Sequence, residues 1–278
     1  MSYAGETAYI TGGSGGVAQS LALEFSKKGL KIVLADRDLA DVSTIAKDLN
    51  AKSGHDDAIL PVQVDIEDWE SQRVAFEAAV QTFGGRVDYV FAIAEAPEGQ
   101  WLGAEPKSGT AFHKPDLSAF YTDAYGPLYT SGLAIQQFRR QDPNKYGFRG
   151  KLIIVSSSLG FYNVPTLPIY TAAKHCVVGF ARTFGRYLPR ENITLNTVCP
   201  NPYGGPASAS EIQFVTDAFE SLMGPSEASG DAVEILPGSG GYRVKEIPVF
   251  TNEVAHESIK LATAPEHRAW QFHAPVEE

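Results

Sequence analysis

Short runs rich in β-branched and aromatic residues alternate with longer stretches of helical periodicity along most of this chain. That alternation limits the fold more than any single motif does. "TAYIT" (Thr7–Thr11) precedes the helical "VAQSLALEFSKKG", "KIVLAD" precedes "LADVSTIAKDLN", and "AILPVQVD" precedes "WESQRVAFEAAVQTFGG". "VDYVFAIA" is apolar almost throughout, as a strand covered on both faces must be. The series continues with a helix from about Leu117 to Arg140, then "KLIIVSS", a helix from Ile169 to about Tyr187, "ITLNTVCP", "EIQFVTDAFESLM" and "DAVEILPG". Stacked βαβ units of this kind predict one α/β domain over residues 1–249, doubly wound, with a mostly parallel, about seven-stranded sheet flanked by helices. Residues 250–278 form a C-terminal tail of no definite pattern. Residues 95–116, rich in Gly, Pro, Ala and Glu, read as a loop able to cover a site, and 201–210 are too rich in Pro and Gly for regular structure.

Charge narrows the class of partner. The 278 residues carry 33 acidic against 23 basic side chains, a net charge of −10, with no block of Lys and Arg. Nucleic acid and anionic membrane surfaces are therefore not expected partners. Two cysteines, Cys176 and Cys199, lie in apolar runs without metal-ligand spacing, so buried inert thiols in a reducing compartment are expected, with no metal and no disulfide. The opening "MSYAGETAYITGG" has neither the basic region nor the apolar stretch of a leader. The longest apolar runs are only strand-length. A cytoplasmic location is the expectation.

"ITGGSGGVAQS" joins the first strand to the first helix, the context in which a glycine-rich turn binds phosphate. Gly12, Gly13, Gly15 and Gly16 let the backbone turn sharply and approach a ligand, while the helix behind them aims unpaired N–H groups at the gap. A pyrophosphate held at Gly12, Ser14, Gly15, Gly16 and Val17 is the reading; a purely structural turn is the alternative. Twenty residues past Gly16, Asp36 closes the second strand, where a carboxylate accepts from both ribose hydroxyls and repels a 2′-phosphate. This favours NAD over NADP, although the adjacent Arg37 is able to pair with that phosphate. Asp65, with Ile66 beside it, closes the third strand at a place suited to adenine; a helix N-cap is its other reading.

With these residues in place the chain resembles the short-chain dehydrogenase/reductase family over about residues 5–240. The likeness rests on Thr11 and Gly12 with Gly16 beyond three residues and Ala18 in the third-glycine position, on Asp36 and Asp65, and on Ser157 with the Tyr170-Thr-Ala-Ala-Lys174 quintet. "PIYTAAKHCVVGF", and an ending without "VDGG", look like the 15-hydroxyprostaglandin dehydrogenase group and its fungal relatives. The resemblance implies a Rossmann-type fold, and a cofactor groove completed by Ala92, Ala94, Tyr170, Lys174, Pro200, Asn201 and Tyr203. It also implies a homodimer or homotetramer built through the fourth and fifth helices. An excess of apolar residues on the helix after Tyr170 (Cys176, Val177, Val178, Phe180, Phe184) agrees with that assembly.

The catalytic expectation follows from helical spacing. Residues four apart share a face at an axial rise of about 6 Å, so Lys174 sits beside Tyr170 and its charge pulls the phenol pKa from about 10 toward neutrality. The phenol then serves as general base or acid. Ser157, thirteen residues before the tyrosine, holds the substrate oxygen, while Ser156 and Ser158 are strand-end and turn residues. His175 is expected to pack rather than catalyse. Three departures from the family stand out: Ala92-Ile93-Ala94-Glu95 replaces "NNAG", Asp123 replaces the asparagine of the catalytic tetrad, and Pro200-Asn201 replaces "PG". Asp123 is expected to orient a water on the Lys174 side, and Glu95 adds an acid near the cofactor groove.

Family geometry places the substrate between 95–116 and 201–230, where Trp101, Phe112, Phe161, Tyr162, Tyr203 and Phe214 suit a bulky apolar molecule. The expected function is an NAD-dependent oxidoreductase for a secondary alcohol or ketone of a lipid-like or polycyclic specialised metabolite. An NADPH-dependent ketone reductase is one alternative. A cofactor-holding non-redox relative, such as a cyclase, an isomerase or an NAD sensor, is the other.

Overall fold

The computed structural model describes residues 1–102, 112–201, 209–236 and 240–262. Contacts divide the chain into Met1–Val244 and Lys245–Glu278. The first unit holds a sheet with strands β1 (Thr7–Thr11), β2 (Lys31–Asp36), β3 (Ile59–Gln63), β4 (Tyr89–Ala92), β5 (Gly150–Val155), β6 (Ile193–Cys199), β7 (Ala232–Ile235) and β8 (Tyr242–Val244). Their order is β3-β2-β1-β4-β5-β6-β7-β8, and every pairing is parallel except β7 with β8. The sheet thus has eight strands, not about seven. The additional strand is three exposed residues with no apolar run, held by the ladder and by an Arg243–Glu234 ion pair at 3.1 Å.

Helices cover both faces, as the alternation predicts. Residues of α1 (Gly16–Lys27), α2 (Leu39–Ser53) and α7 (Ala209–Leu222) share one buried cluster with Ile10, Leu34 and Phe91. Residues of α3 (Trp69–Thr82), α5 (Gly126–Arg139) and α6 (Pro168–Phe184) share the other with Tyr9, Val90 and Ile154. Gly54, at φ +77°, closes α2 in the left-handed conformation that a Cβ would strain. Because α7 starts at Ala209, regular structure begins inside the stretch expected to lack it.

The helix expected from Leu117 to Arg140 is present over residues 118–139, but it is not α-helical throughout. A single turn, α4 (Ser118–Phe120), leads into a π-helical turn (Tyr121–Tyr125) and only then into α5. Pro127 has no N–H to give the carbonyl of Asp123 four residues back, so α-helical bonding fails there. The Gly126 amide instead reaches five residues back to the carbonyl of Tyr121. This wide turn carries Asp123 inward. In the second unit, α8 (Glu253–Ala262) gives form to part of the tail, with Phe250 stacked on His256 at 4.7 Å.

Candidate active site

β1 and β4 are neighbours at the middle of the sheet, yet the connections after them turn to opposite faces. Such a switch point opens a crevice beyond the strand ends. A cleft of about 680 Å³ lies there, lined by Gly12, Ser14, Gly15, Gly16, Val17, Asp36, Arg37, Asp65, Ile66, Ala94, Glu95, Ser157, Tyr170, Pro200 and Asn201, among others. Most residues expected to form a cofactor groove therefore meet on one cavity. Ala92 and Lys174 do not: the Ala92 side chain is buried in the core with Ala75, Ala79 and Phe138, and Lys174 is buried beside the Tyr170 ring. Tyr203 falls outside the described residues.

The glycine turn divides into two jobs. Gly12 has φ +75°, and a Cβ there would lie 2.6 Å from the backbone of Ala94. Gly13 is packed on Leu34 in the same way. A Cβ on Gly16, by contrast, would meet nothing of the protein within 4 Å. α1 starts there without any side-chain cap and without an acidic residue in its first turn, so its leading amides face the cleft unpaired. A cradle with spare room and free donors fits a pyrophosphate.

Asp36 projects beside that turn. One carboxylate oxygen accepts from Ser14, at 2.9 Å from the amide and 2.8 Å from the hydroxyl; the other accepts from the Arg37 amide at 2.7 Å. The carboxylate is thereby fixed at the cleft edge, with acceptor capacity left for a diol. Asp65 accepts from the Glu67 amide at 3.0 Å within its own turn, and the cap of α3 is Asp68 instead.

The side chains expected to react come from different elements. Ser157 caps a short 3₁₀ turn (Ser158–Gly160), accepting from the Leu159 amide at 3.2 Å. Ser156 ties β5 to α6 by donating to the carbonyl of Lys174 at 3.0 Å. The Ser158 amide donates to the carbonyl of Pro200 at 2.7 Å, so both flanking serines are structural. On α6, the Lys174 ammonium sits 5.0 Å from the centre of the Tyr170 ring. It is 1 % exposed and pairs with Asp123 Oδ1 at 3.2 Å and Glu95 Oε2 at 3.4 Å.

Burial, with two carboxylates beside the ammonium, reverses the expected direction of the Tyr170 shift. Burial pushes the Tyr170 phenol up to about 12; Lys174 and a hydrogen bond with Ser157 pull it down, while Glu95 and Asp123 oppose them. The expected shift toward neutrality is not found, because burial of the phenol outweighs the pull of Lys174, with Glu95 and Asp123 adding to the rise. Burial also lifts Asp123 to about 6, against the pull of Lys174. For Lys174 burial works against the charge, yet Asp123, Tyr170 and Glu95 together hold the ammonium above the ordinary lysine value.

Glu98 is a residue that sequence reasoning missed. Leu167, the N-cap of α6, offers no side-chain cap, and Pro168 has no amide. The Glu98 carboxylate fills the role from a distant loop, accepting from Ile169 N at 3.2 Å and Tyr170 N at 2.7 Å. Its neighbour Ala96 donates its amide to Asp123 Oδ1 at 3.3 Å. Only an acid in a Pro- and Gly-rich segment, three residues after Glu95, hinted at this in the sequence.

Among the described residues, the aromatic side chains expected to line a pocket are not brought together, and Tyr203 lies outside the described residues. Phe112 is fully exposed and Trp101 is exposed; Tyr162 donates to Glu234 at 2.7 Å, Phe161 faces Arg182, and Phe214 packs on the core beneath α7. Ile212 and Val215 of α7 are the apolar residues lining that side of the cleft. His175 is exposed rather than packed, its Nδ1 2.9 Å from the carbonyl of Thr171. Burial raises the thiol pKa of both cysteines, that of Cys199 to about 12, consistent with inert groups. Among the described residues no cluster of three or more metal-ligating side chains occurs, and no helix is long and apolar enough to cross a membrane.

A mostly parallel doubly wound sheet with a glycine-rich turn, and a serine and a tyrosine at one cleft with a buried lysine beside the tyrosine, are the arrangement expected of a nicotinamide-dependent oxidoreductase. Residues 6–213 match the short chain dehydrogenase family, and the chain belongs to it. It is an enzyme of the alcohol dehydrogenase/reductase class, and the family takes a nicotinamide dinucleotide. The short-chain dehydrogenase srdC of Neurospora crassa is 30 % identical over 207 residues, covering 70 % of this chain and 73 % of that protein. A cis-2,3-dihydrobiphenyl-2,3-diol dehydrogenase of Rhodococcus globerulus is 26 % identical over 209 residues, 72 % of this chain and 66 % of that protein. The solved structure of a short-chain type dehydrogenase/reductase from Mycobacterium ulcerans superposes with a TM-score of 0.71, covering 84 % and 90 % of the two chains. At 16 % identity it supports the fold alone.

Proposed function

We propose that this enzyme interconverts a secondary alcohol and a ketone on a bulky apolar molecule, lipid-like or polycyclic, with NAD as its hydride carrier. The observation that carries the reading is the arrangement of Ser157 and Tyr170 on the cleft that also holds the glycine cradle and Asp36, with the buried Lys174 ammonium beside the Tyr170 ring. When bound, the nicotinamide supplies reversible two-electron chemistry. Ser157 and Tyr170 hold the substrate oxygen, and Lys174 orders the tyrosine. The Asp36 carboxylate, pinned by Ser14, supports NAD over NADP, since a 2′-phosphate beside it would be repelled.

The relative named for a dihydrobiphenyl diol supports a polycyclic substrate. A role in specialised metabolism in the cytoplasm is part of the same proposal. The likeness to the 15-hydroxyprostaglandin dehydrogenase group remains part of this proposal. So does a homodimer or homotetramer, supported by the exposed rings of Tyr121 and Tyr125 along the fourth helical stretch.

One observation favours a second reading of direction. A phenol held up to about 12 keeps its proton and is suited to donate it, which is the demand of ketone reduction. Identification of the copurifying dinucleotide by mass spectrometry, followed by absorbance at the NADH band with panels of lipophilic alcohols and ketones, tests both readings. Absence of any dinucleotide binding, with no absorbance change in either direction, would overturn the proposal.

A further inference from the structure

We infer that Glu95 is the immediate proton acceptor of Tyr170, linking the tyrosine to solvent through a loop carboxylate. This rests on the oxidoreductase reading above and adds a catalytic residue to it. Glu95 Oε2 lies 3.3 Å from the phenol oxygen and 3.4 Å from the Lys174 ammonium, so one oxygen faces both groups. Its side chain is 55 % exposed, whereas the other carboxylate on Lys174, that of Asp123, is 0 % exposed. Of the two acids, only Glu95 is able to exchange a proton with water. Nor is its placement loose. Ala96 is tied to Asp123 and Glu98 to the first amides of α6, so the residues on its C-terminal side are fixed to the elements carrying Asp123 and Tyr170.

The electrostatics create the need for such a group. With its phenol held up to about 12, Tyr170 is ionised in only about one molecule in 10⁵ at neutral pH. A proton arriving from the substrate must then be matched by one leaving. In the oxidative direction the carbinol C–H bond breaks and its electron pair reduces the oxidised nicotinamide dinucleotide. The alcohol O–H bond breaks and its proton passes to Tyr170 Oη. The proton already on Tyr170 passes to Glu95 Oε2 and thence to water. Reduction runs the same transfers backward. The groups facing this pair are Lys174 and Ser157, Asp123 from the π-helical turn, Glu98 at the start of α6, and the neutral Cys199 thiol behind Lys174.

Glu95→Gln separates this route from one through a free tyrosinate, because the two predict opposite signs. Removing the Glu95 charge lowers the phenol pKa, so a tyrosinate mechanism runs faster at pH 7. The relay instead loses its acceptor and slows by about 10²-fold or more. Its residual oxidative rate then climbs roughly tenfold per pH unit into the alkaline range as ionised Tyr170 takes over. Glu95→Ala should regain rate with added formate or acetate, and Glu95→Asp should fall between. A second measurement needs neither cofactor nor turnover. Tyrosinate difference absorbance against Tyr170→Phe should begin at lower pH in Glu95→Gln than in wild type; an unchanged onset would show the Glu95–Tyr170 contact to be absent in solution. An active wild type with an equal or faster Glu95→Gln variant and no carboxylate rescue overturns the relay alone. A wild type that binds no dinucleotide and turns over no alcohol or ketone overturns the oxidoreductase reading, and the relay with it.

Discussion

The Glu98 carboxylate accepts the backbone N–H of Tyr170 at 2.7 Å, so the residue proposed to transfer the proton is held at its backbone by an acid from a distant segment. A partly buried acid at a helix N-terminus satisfies orphan donors and meets the positive end of the helix dipole. Glu98→Ala should therefore cost about 1 kcal/mol. Thermal unfolding should fall by roughly 2–4 °C in a chain of this size. The same variant should lower turnover, because α6 and the loop lose their common anchor. Glu98→Gln keeps an acceptor and should lose less of both.

Two glycine variants separate fold from ligand. Gly12→Ala forces a Cβ into the backbone of Ala94 at positive φ, and the protein should be destabilised by about 1–3 kcal/mol. Gly16→Ala meets open space and should melt as wild type does, while dinucleotide affinity falls at least tenfold. Differential scanning fluorimetry with and without NADH reads both. A Gly16→Ala protein with unchanged affinity would place the phosphates elsewhere.

Asp36→Ala removes the acceptor that Ser14 and the Arg37 amide hold in place. NAD affinity should drop and the preference over NADP should narrow, both read by equilibrium titration of each dinucleotide. Tighter binding of NADPH than NADH by wild type would reverse the cofactor assignment.

Asp123 gives stability a pH dependence. Its folded pKa, about 6, lies above the ordinary aspartate value of 3.8, so between about pH 4 and 6 the folded protein binds more protons than the unfolded chain. Stability associated with this group is present at the acid end and is lost as pH rises through that window, by up to about 3 kcal/mol. Asp123→Asn should flatten that segment of a denaturant-midpoint profile. Activity should survive within about tenfold, since the amide oxygen still accepts from Lys174 and Ala96. A dead, well-folded Asp123→Asn protein that binds NAD normally would make the carboxylate itself essential.

Sequence periodicity exposes the order of strands and helices because apolar residues repeat at 2.0 or 3.6 where an element buries a face, and the glycine turn because its backbone demands glycine. Asp36, Ser157, Tyr170 and Lys174 were legible for the same local reason: each is set by spacing along one strand, turn or helix. What escaped depends on distance in the chain. Glu98 caps a helix seventy-one residues away, and no local pattern marks it. β8 has three exposed residues, too few for a period. The π-helical turn follows from Pro127 only once the flanking residues are known to be helical. The direction of the Tyr170 shift failed because a Tyr–Lys pair was judged alone, without the burial that tertiary packing imposes on the phenol. The two carboxylates that add to the rise also come from other elements.

The spacing of Glu95 and Glu98 has a consequence for anyone who would redesign this enzyme. Loops over a dehydrogenase cleft are the usual place to graft new substrate preference, on the assumption that specificity and chemistry sit on separate parts. Here three successive residues and the next acid join cover, helix anchor and charge balance in one strip of chain. A graft that replaced residues 95–98 to admit a new molecule would also change the protonation of Tyr170. Selection for new substrates should retain acids at these two positions while varying the remainder of the loop.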